Sequence, residues 1–414
     1  MELDELLTGL PAISLEGAKA IGKTETAQRR ASTTHRLDDP GQHELFSAAP
    51  DRLTSGDPPV LIDEWQRLPA SWDLVRRAVD ADPTPARFIL TGSATPTNTP
   101  THSGAGRIVT VRMHPMSLAE RDIETPSVSL ADLLRGGRPE LSGSSSIDLE
   151  RYADEIIRSG FPAIRELSGR LLRSQLDGYL DRIVEREFAE AGHNVRNKGA
   201  LRRWMTAYAA ASSTTASFET IRDAASSGES DKPAKSTTVP YRATLEQLWM
   251  IEEVTAWTPS HNRLRRLAMS PVHQLADPAL AARLLGVGTE ALIEGTAVGP
   301  TMPRDGTLLG ALFESLVTLS VRTYAQANEA RVHHLRTRAG EHEIDLIIER
   351  GDGRIVALEV KLSATVSDKD TRHLRWLANT IGDDLLDAAI ITTGKSAYRR
   401  PDGIAVIPAA LLTA

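Results

Sequence analysis

The chain contains no cysteine. Disulfides, thiolate zinc sites, iron–sulfur clusters and cysteine nucleophiles are therefore excluded. It lacks any apolar run of roughly eighteen residues, the length a spanning helix needs. It also lacks an N-terminal apolar segment with a basic flank, so export and membrane insertion are not indicated and the expected location is cytoplasmic. There is no excess of positive charge. A formal net charge of −7 argues against a wholly basic nucleic-acid coat and leaves room for a local basic surface. What remains, 41% hydrophobic and 25% charged residues over 414 positions, is a globular composition with length for two or three domains.

The most informative stretch is Gly17-Ala18-Lys19-Ala20-Ile21-Gly22-Lys23-Thr24, which fits the phosphate-loop pattern of Gly, four residues, then Gly-Lys-Thr. It follows the apolar run Ala12-Ile13-Ser14-Leu15. Such a loop closes backbone N–H groups around a polyphosphate, Lys23 reaches the terminal phosphates, and the Thr24 hydroxyl ligates Mg²⁺. Pro59-Val60-Leu61-Ile62-Asp63-Glu64 is an apolar run ending in two acids and reads as a buried parallel strand with carboxylates at its C-terminal end. Ligands of open α/β sheets bind at that end. Asp63 would hold Mg²⁺ through water, and Glu64 would polarise the water that attacks the γ-phosphate. A further strand, Arg87 to Leu90, stops at Thr91-Gly92-Ser93, where Thr91 or Ser93 would sense the γ-phosphate.

The order of phosphate loop, LDDP at Leu37 to Pro40, VLIDEWQRLP, RFILTGSA, GRIVTVRMHPMSLAE and GFP resembles a bacterial and archaeal family of AAA-type ATPases whose C-terminal half is a domain of unknown function. The resemblance covers nearly the whole chain. It implies ATP as ligand and, from the habit of such families, Arg107 near the sensor region as the arginine that completes the site. It also implies a small DNA-binding unit in the middle of the chain.

Taken in order, Leu3, Leu6, Leu7 and Leu10 predict a short N-terminal helix, Glu25 to Ser32 the helix after the loop, and Leu74, Val75, Ala78 and Val79 an apolar helical stripe. Thr95 to Gly106 reads as a loop, and Arg135 to Ser145 has the composition of a linker. These signals place an ATPase domain at 1–138, a helical region with a winged-helix-like unit at 148–300, and a third domain at 301–414. In the middle, helices are expected at Trp204 to Ala211, Phe218 to Ala225 and Ser236 to Met250, the last as recognition helix carrying Lys235, Tyr241 and Arg242 beside Glu246 and Pro240. Arg196, Lys198, Arg202, Arg203, Arg263, Arg265 and Arg266 are either phosphate contacts or solvated surface.

The last domain holds a second pattern of charged residues. A long helix, Thr307 to Gln326, carries Glu314 close to its apolar side. Strands follow at Val332 to Arg336, Ile344 to Glu349 and Ile355 to Leu362, then a helix and the strand Ala388 to Thr393. Alternation puts Glu359 and Lys361 on one face of an otherwise apolar strand. An acid, a hairpin and Glu-x-Lys is the arrangement of the restriction-endonuclease-like α/β fold. Asp345 and Glu359 would bind Mg²⁺, Lys361 would orient or deprotonate the attacking water, and Glu314 would support the metal. His333, His334 and His342 read as surface or phosphate-facing residues, since the chain has no helical i, i+4 His pair.

Two functional readings follow. One is an ATP-hydrolysing, DNA-binding or DNA-processing enzyme in which nucleotide state controls a Mg²⁺-dependent nuclease domain. The other is a nucleotide-switched regulator, in a defence or toxin–antitoxin setting, whose nuclease fold is inactive. ATP, DNA, a protein partner and further copies of the chain are the partners considered.

Overall fold

A computed structural model describes residues 2–92, 104–193, 195–226, 233–259, 269–294, 307–337 and 340–414. The short apolar runs of the N-terminal unit become strands, the central three buried on both faces and the outer two partly exposed. They are β1 (Ala12–Glu16), β2 (Thr33–Arg36), β3 (Val60–Asp63), β4 (Phe88–Gly92) and β5 (Val109–Arg112). All pair in parallel, in the order β2-β3-β4-β1-β5. Leu15 lies opposite Thr91, and Thr91 opposite Asp63. The C-terminal ends of β1, β3 and β4 therefore meet along one edge.

Phe46, Trp65, Trp72 and Val75 pack on one side of this sheet, and Leu3, Ala27 and Val111 on the other. The expected stripe lies on the helix Ala70–Ala81, which buries Trp72, Val75 and Val79. The helix after the phosphate loop is shorter and earlier than its pattern suggested, running only over Lys23–Gln28. It buries just Lys23 and Ala27. With so little apolar surface to bury, a longer helix gains little from packing.

Two short strands, β6 (Val128–Ser129) and β7 (Gly143–Ser144), lead into a helical region. Its main helices are Leu149–Arg158, Gly169–Arg182, Lys198–Ala210, Phe218–Ala224 and Lys235–Gln247. The second continues through a π-helical turn, Ile183–Glu187, into Phe188–Glu190. Two antiparallel strands follow, β8 (Ile251–Trp257) and β9 (Val272–Leu275).

The C-terminal unit begins with the helix Thr307–Gln326. It continues as β10 (Arg331–Arg336), β11 (Glu343–Glu349), β12 (Ile355–Lys361), the helix Arg372–Ile381, β13 (Leu385–Thr392), β14 (Ser396–Arg399), β15 (Ala405–Pro408) and β16 (Leu412–Thr413). β10, β11 and β12 form an antiparallel meander, and β13 returns parallel to β12. This is the helix, three strands, helix, strand order that the sequence pattern called for.

The linker-like stretch does not behave as one. β7 pairs with β14, β6 pairs with β16, and Ser145 donates its N–H to the Lys395 carbonyl at 2.7 Å. Gly- and Ser-rich composition here fits an edge strand of the C-terminal sheet. Likewise β8 joins that sheet by pairing in parallel with β10, giving nine strands in the order β7-β14-β15-β13-β12-β11-β10-β8-β9. One apolar core runs from Tyr152, Phe161 and Trp204 to Phe313 and Leu358. The helical and C-terminal regions thus share their interior.

Candidate functional site

The phosphate loop leaves β1 through Gly17, whose φ of 149° and close approach to the Met113 carbonyl leave no room for a Cβ. It enters the helix through Gly22 in the left-handed conformation at φ 93°. Lys23 folds back, its Nζ donating to the carbonyl oxygens of Gly17 at 2.9 Å and Ala18 at 2.8 Å. Thr24 Oγ1 donates to Asp63 Oδ1 at 2.8 Å, and the Thr91 hydroxyl donates to the same oxygen. Strand register produces this convergence, because Asp63 and Thr91 are cross-strand partners.

Lys23, Thr24 and Asp63 line a cleft of about 780 Å³ with Lys19, Ala20, Gly22, Glu25, Gln28, Arg36, Asp38, Glu64 and Arg67. Burial lowers the Lys23 pKa to about 8, against the pull of Glu64 and Asp63. Burial raises the Glu64 pKa, and Asp63 adds to it while Lys23 opposes it. An electropositive group partly stripped of solvent is a good receptor for polyphosphate. Thr24 and Asp63 are hard oxygen donors of the kind Mg²⁺ takes, so the donor set fits that ion.

Not every expected residue reaches the cleft. Arg107 precedes β5, which runs parallel to β1, so it stands at the N-terminal edge of the sheet while the loop stands at the C-terminal edge. There it pairs with Asp80 at 2.8 Å. Arg107 therefore does not complete this site within one chain. Ser93 lies outside the described residues. Arg36 and Arg67 are the arginines that do line the cleft. The signal was available: Arg36 ends β2, Arg67 follows Glu64 by three residues, and both positions fall at the ligand-binding edge of a parallel sheet.

The helical region closes part of the cleft with Pro162 and Ala163. Pro162 ends the GFP motif, which is a backbone joint, and Ala163 follows it. Met116 N–H donates to the Gly160 carbonyl at 2.8 Å, and a Cβ on Gly160 would stand 2.8 Å from the Met116 oxygen. Buried Asp277 accepts from Gly160 N–H at 2.6 Å and from the Ser159 hydroxyl at 3.1 Å.

The second centre gathers around β12. Lys361 Nζ donates to Glu359 Oε1 at 2.7 Å, so the two share a face as alternation required. Asp345 Oδ2 accepts the Val360 N–H at 2.7 Å. Glu359 Oε2 is buried without a hydrogen-bond partner among the described residues. Burial, with Asp345 next, pushes the Glu359 pKa up to about 8 in spite of Lys361. Burial raises Glu314 well above the carboxylate range, and Asp345, Glu343 and Glu359 add to it. The helix thus does bring Glu314 to the acids. Glu343 was missed; it opens β11 two residues before Asp345 and reads as surface. For Lys361, burial opposes the charge, but Glu359 and Asp345 outweigh it and raise the pKa.

Among the described residues no three His, Asp or Glu side chains are arranged to hold a metal ion alone. Mg²⁺ takes only one or two carboxylates when substrate phosphates and water complete its shell. A carboxylate oxygen buried without a partner carries a desolvation cost that a donor or a cation would relieve.

The expected recognition helix engages two of its donors internally, while Lys235 is exposed. Tyr241 is buried, and Arg242 pairs with Glu246 at 2.7 Å and Glu253 at 3.3 Å while lying over the Phe218 ring. Arg202 pairs with Asp181. Arg263, Arg265 and Arg266 lie outside the described residues. His334, expected at the surface, is buried and bonded to the Ser270 carbonyl, because alternation on β10 turns it inward. His342 stacks on Trp376 and contacts His373 at 3.3 Å.

A parallel sheet with a glycine-bounded loop over its C-terminal edge, a lysine and a threonine at the helix start, and an acid on the neighbouring strand defines a P-loop ATPase domain. Residues 10–121 match the family described as AAA domain, so the N-terminal unit is an AAA-type, nucleotide-binding domain. Residues 149–291 and 309–412 match two further families, each described as a domain of unknown function (DUF8612 and DUF4143). The chain is similar to the uncharacterized proteins Rv2008c of Mycobacterium tuberculosis and Mb2031c of Mycobacterium bovis. Each is 26% identical over 355 residues, which cover 84% of this chain and 68% of the relative. It is also similar to a solved structure, the Walker-type ATPase PABY2304 of Pyrococcus abyssi, at 15% identity and a TM-score of 0.37 over 68% of this chain and 93% of that one. Among the described residues no helix is long and apolar enough to cross a membrane.

Proposed function

We propose that the protein is an ATPase whose nucleotide state governs a C-terminal centre that acts on the phosphodiester backbone of DNA. The observation that carries the ATPase reading is the cleft that Lys23, Thr24 and Asp63 line together, with the Thr24 and Thr91 hydroxyls both bonded to Asp63. In this reading Lys23 leaves the Gly17 and Ala18 carbonyls for the β- and γ-phosphates, and the loop amides receive the remaining phosphate oxygens. Thr24 and Asp63 would hold Mg²⁺, which supplies charge neutralisation at the transferring phosphate. Glu64 accepts a proton from the attacking water, helped by burial, which raises its pKa and makes the carboxylate a stronger base. Thr91 reports the presence of the γ-phosphate to β3 and β4.

At the second centre, Asp345 and Glu359 would hold Mg²⁺, with Glu314 behind them, and Lys361 would orient or deprotonate the water. The motivating feature is a buried carboxylate oxygen without a partner, next to an ammonium, at the end of an apolar strand. The three-helix unit followed by the β8–β9 hairpin has the element order of a winged helix, which supports DNA as partner.

A second reading, a nucleotide-switched regulator with a dormant nuclease fold, is favoured by one specific fact: Arg242 and Tyr241 of the candidate recognition helix are already engaged within the protein. ATP hydrolysis and plasmid cleavage measured side by side with Mg²⁺ or Mn²⁺ separate the two, using the intact chain, Lys23→Ala and Asp345→Ala. Cleavage that disappears in Asp345→Ala and changes in Lys23→Ala supports the coupled enzyme. Hydrolysis with no cleavage in any form supports the regulator.

A further inference from the structure

The phosphate loop is tied to the helical region from outside the cleft. Lys19, the second variable residue of the loop, lines the cleft and also places its Nζ 2.5 Å from Glu187 Oε2 and 3.3 Å from Glu190 Oε2. Tyr179 Oη donates to the Lys19 carbonyl at 3.2 Å. The Glu187 side chain is only 8% exposed, so its attraction for the ammonium is little screened. Glu190 is held in turn by Arg186 at 2.7 Å. Neighbouring Ala20 is left-handed at φ 67°, a conformation that a non-glycine residue keeps only when its surroundings enforce it.

The acids sit where a helix has been altered to present them. The run 169–190 is α-helical except for the π turn Ile183–Glu187, an insertion that helices carry mostly at functional positions. Glu187 and Glu190, three residues apart, share the face toward the loop. On its other side the same segment enters the core: Phe188 meets the Tyr241 ring edge-on at 6.2 Å, and Ile183 and Val184 join the cluster that holds Trp204. A movement of Glu187 is therefore felt by the helices Lys198–Ala210 and Lys235–Gln247.

We infer that Glu187 and Glu190 clasp the phosphate loop through Lys19, and that a nucleotide phosphate competes for that ammonium and loosens the clasp, transmitting occupancy to the three-helix unit. The inference rests on the nucleotide-binding reading of the loop. A di- or triphosphate brings several negative charges to the ammonium the two carboxylates now share, and it also repels them. Only one partner set keeps Lys19. Since coupling is reciprocal, the clasp weakens nucleotide binding by the factor by which nucleotide loosens the clasp.

The test titrates the full chain with a fluorescent ADP analogue, mant-ADP, and follows hydrogen–deuterium exchange over 169–190 with and without ADP. The variants are Glu190→Gln and Glu187→Gln/Glu190→Gln. Expected are faster exchange at 183–190 in the wild type on ADP binding, and about ten-fold tighter mant-ADP binding in the double variant with exchange no longer responsive to ADP. Glu190→Gln, changed at a half-exposed carboxylate, should bind about three-fold tighter and keeps the test valid if the double variant misfolds. Unchanged or weaker affinity in a folded variant overturns the clasp, as does exchange indifferent to ADP in a wild type that binds it. A wild type that does not bind mant-ADP refutes the nucleotide reading itself, and the clasp falls with it.

Discussion

The two centres use a lysine among carboxylates in opposite ways. In the N-terminal cleft, Lys23 rests on two backbone carbonyls while Asp63 is occupied by two hydroxyls, so cation and anion are held apart. In the C-terminal centre, Lys361 is bonded directly to Glu359, and the spare Glu359 oxygen is buried without a partner. Neutral carbonyls are weak competitors for an ammonium, so a polyphosphate takes Lys23 at small cost. Lys361 already has a hydrogen-bond acceptor in the Glu359 carboxyl group, and a ligand there must displace it. The first arrangement is poised for an anionic ligand, whereas the second needs a cation for its acids and a substrate for its lysine together.

Breaking each centre alone should show that ATP turnover does not require the C-terminal acids, even though the nucleotide site governs that centre. Lys23→Ala is expected to lower ATP turnover roughly a thousand-fold while the melting temperature stays within a few degrees. Asp345→Ala with Lys361→Ala should leave ATP turnover within about two-fold and remove metal-dependent cleavage. Phosphate release and plasmid nicking assays read both. Loss of ATP turnover in the C-terminal variant would show that the centres are one functional unit.

A smaller effect sharpens the contrast in stability. The folded-state pKa of Glu359 is raised from 4.5 to about 8 by burial and Asp345, so the folded protein retains a proton that the unfolded chain releases. This contribution is fully present below pH 4.5 and is lost as pH rises through about 8. Between pH 5 and pH 9 the wild type should lose on the order of 2–4 kcal/mol that Glu359→Gln retains, measured by denaturant titration at each pH. Equal losses in both proteins would contradict a protonated Glu359. The smallest effect concerns nucleotide affinity. Lys23, at about 8, is half deprotonated at that pH, and bound phosphate restores the proton. Affinity for ADP should fall about ten-fold from pH 7 to pH 9, and calorimetry in buffers of different ionisation enthalpy should show proton uptake.

The legible parts of the chain were those with strong local patterns. Val60-Leu61-Ile62-Asp63 could hardly be anything but a buried strand, and Glu359-x-Lys361 fixed its own face by alternation. Asp345 and Glu314 were placed beside them because element order constrains a small α/β domain. Arg107 failed because a strand's direction decides which sheet edge a loop residue occupies, and that is a property of pairing, not of local sequence. The 135–145 stretch failed for the same reason: its glycines and serines are equally suited to a linker and to an edge strand, and only pairing with β14 separates them. Lys19 and Glu187 are 168 positions apart, and no local pattern announces their contact.

The most direct test of the account is steady-state phosphate release by Glu64→Gln beside mant-ATP binding to the same variant. If Glu64 handles the proton of the attacking water while Lys23, Thr24 and Asp63 hold the nucleotide, the variant should bind within about three-fold of the wild type and turn over at least about a hundred-fold more slowly. Turnover at the wild-type rate, with binding intact, would contradict the assignment of this cleft as an ATP-hydrolysing site built on Glu64.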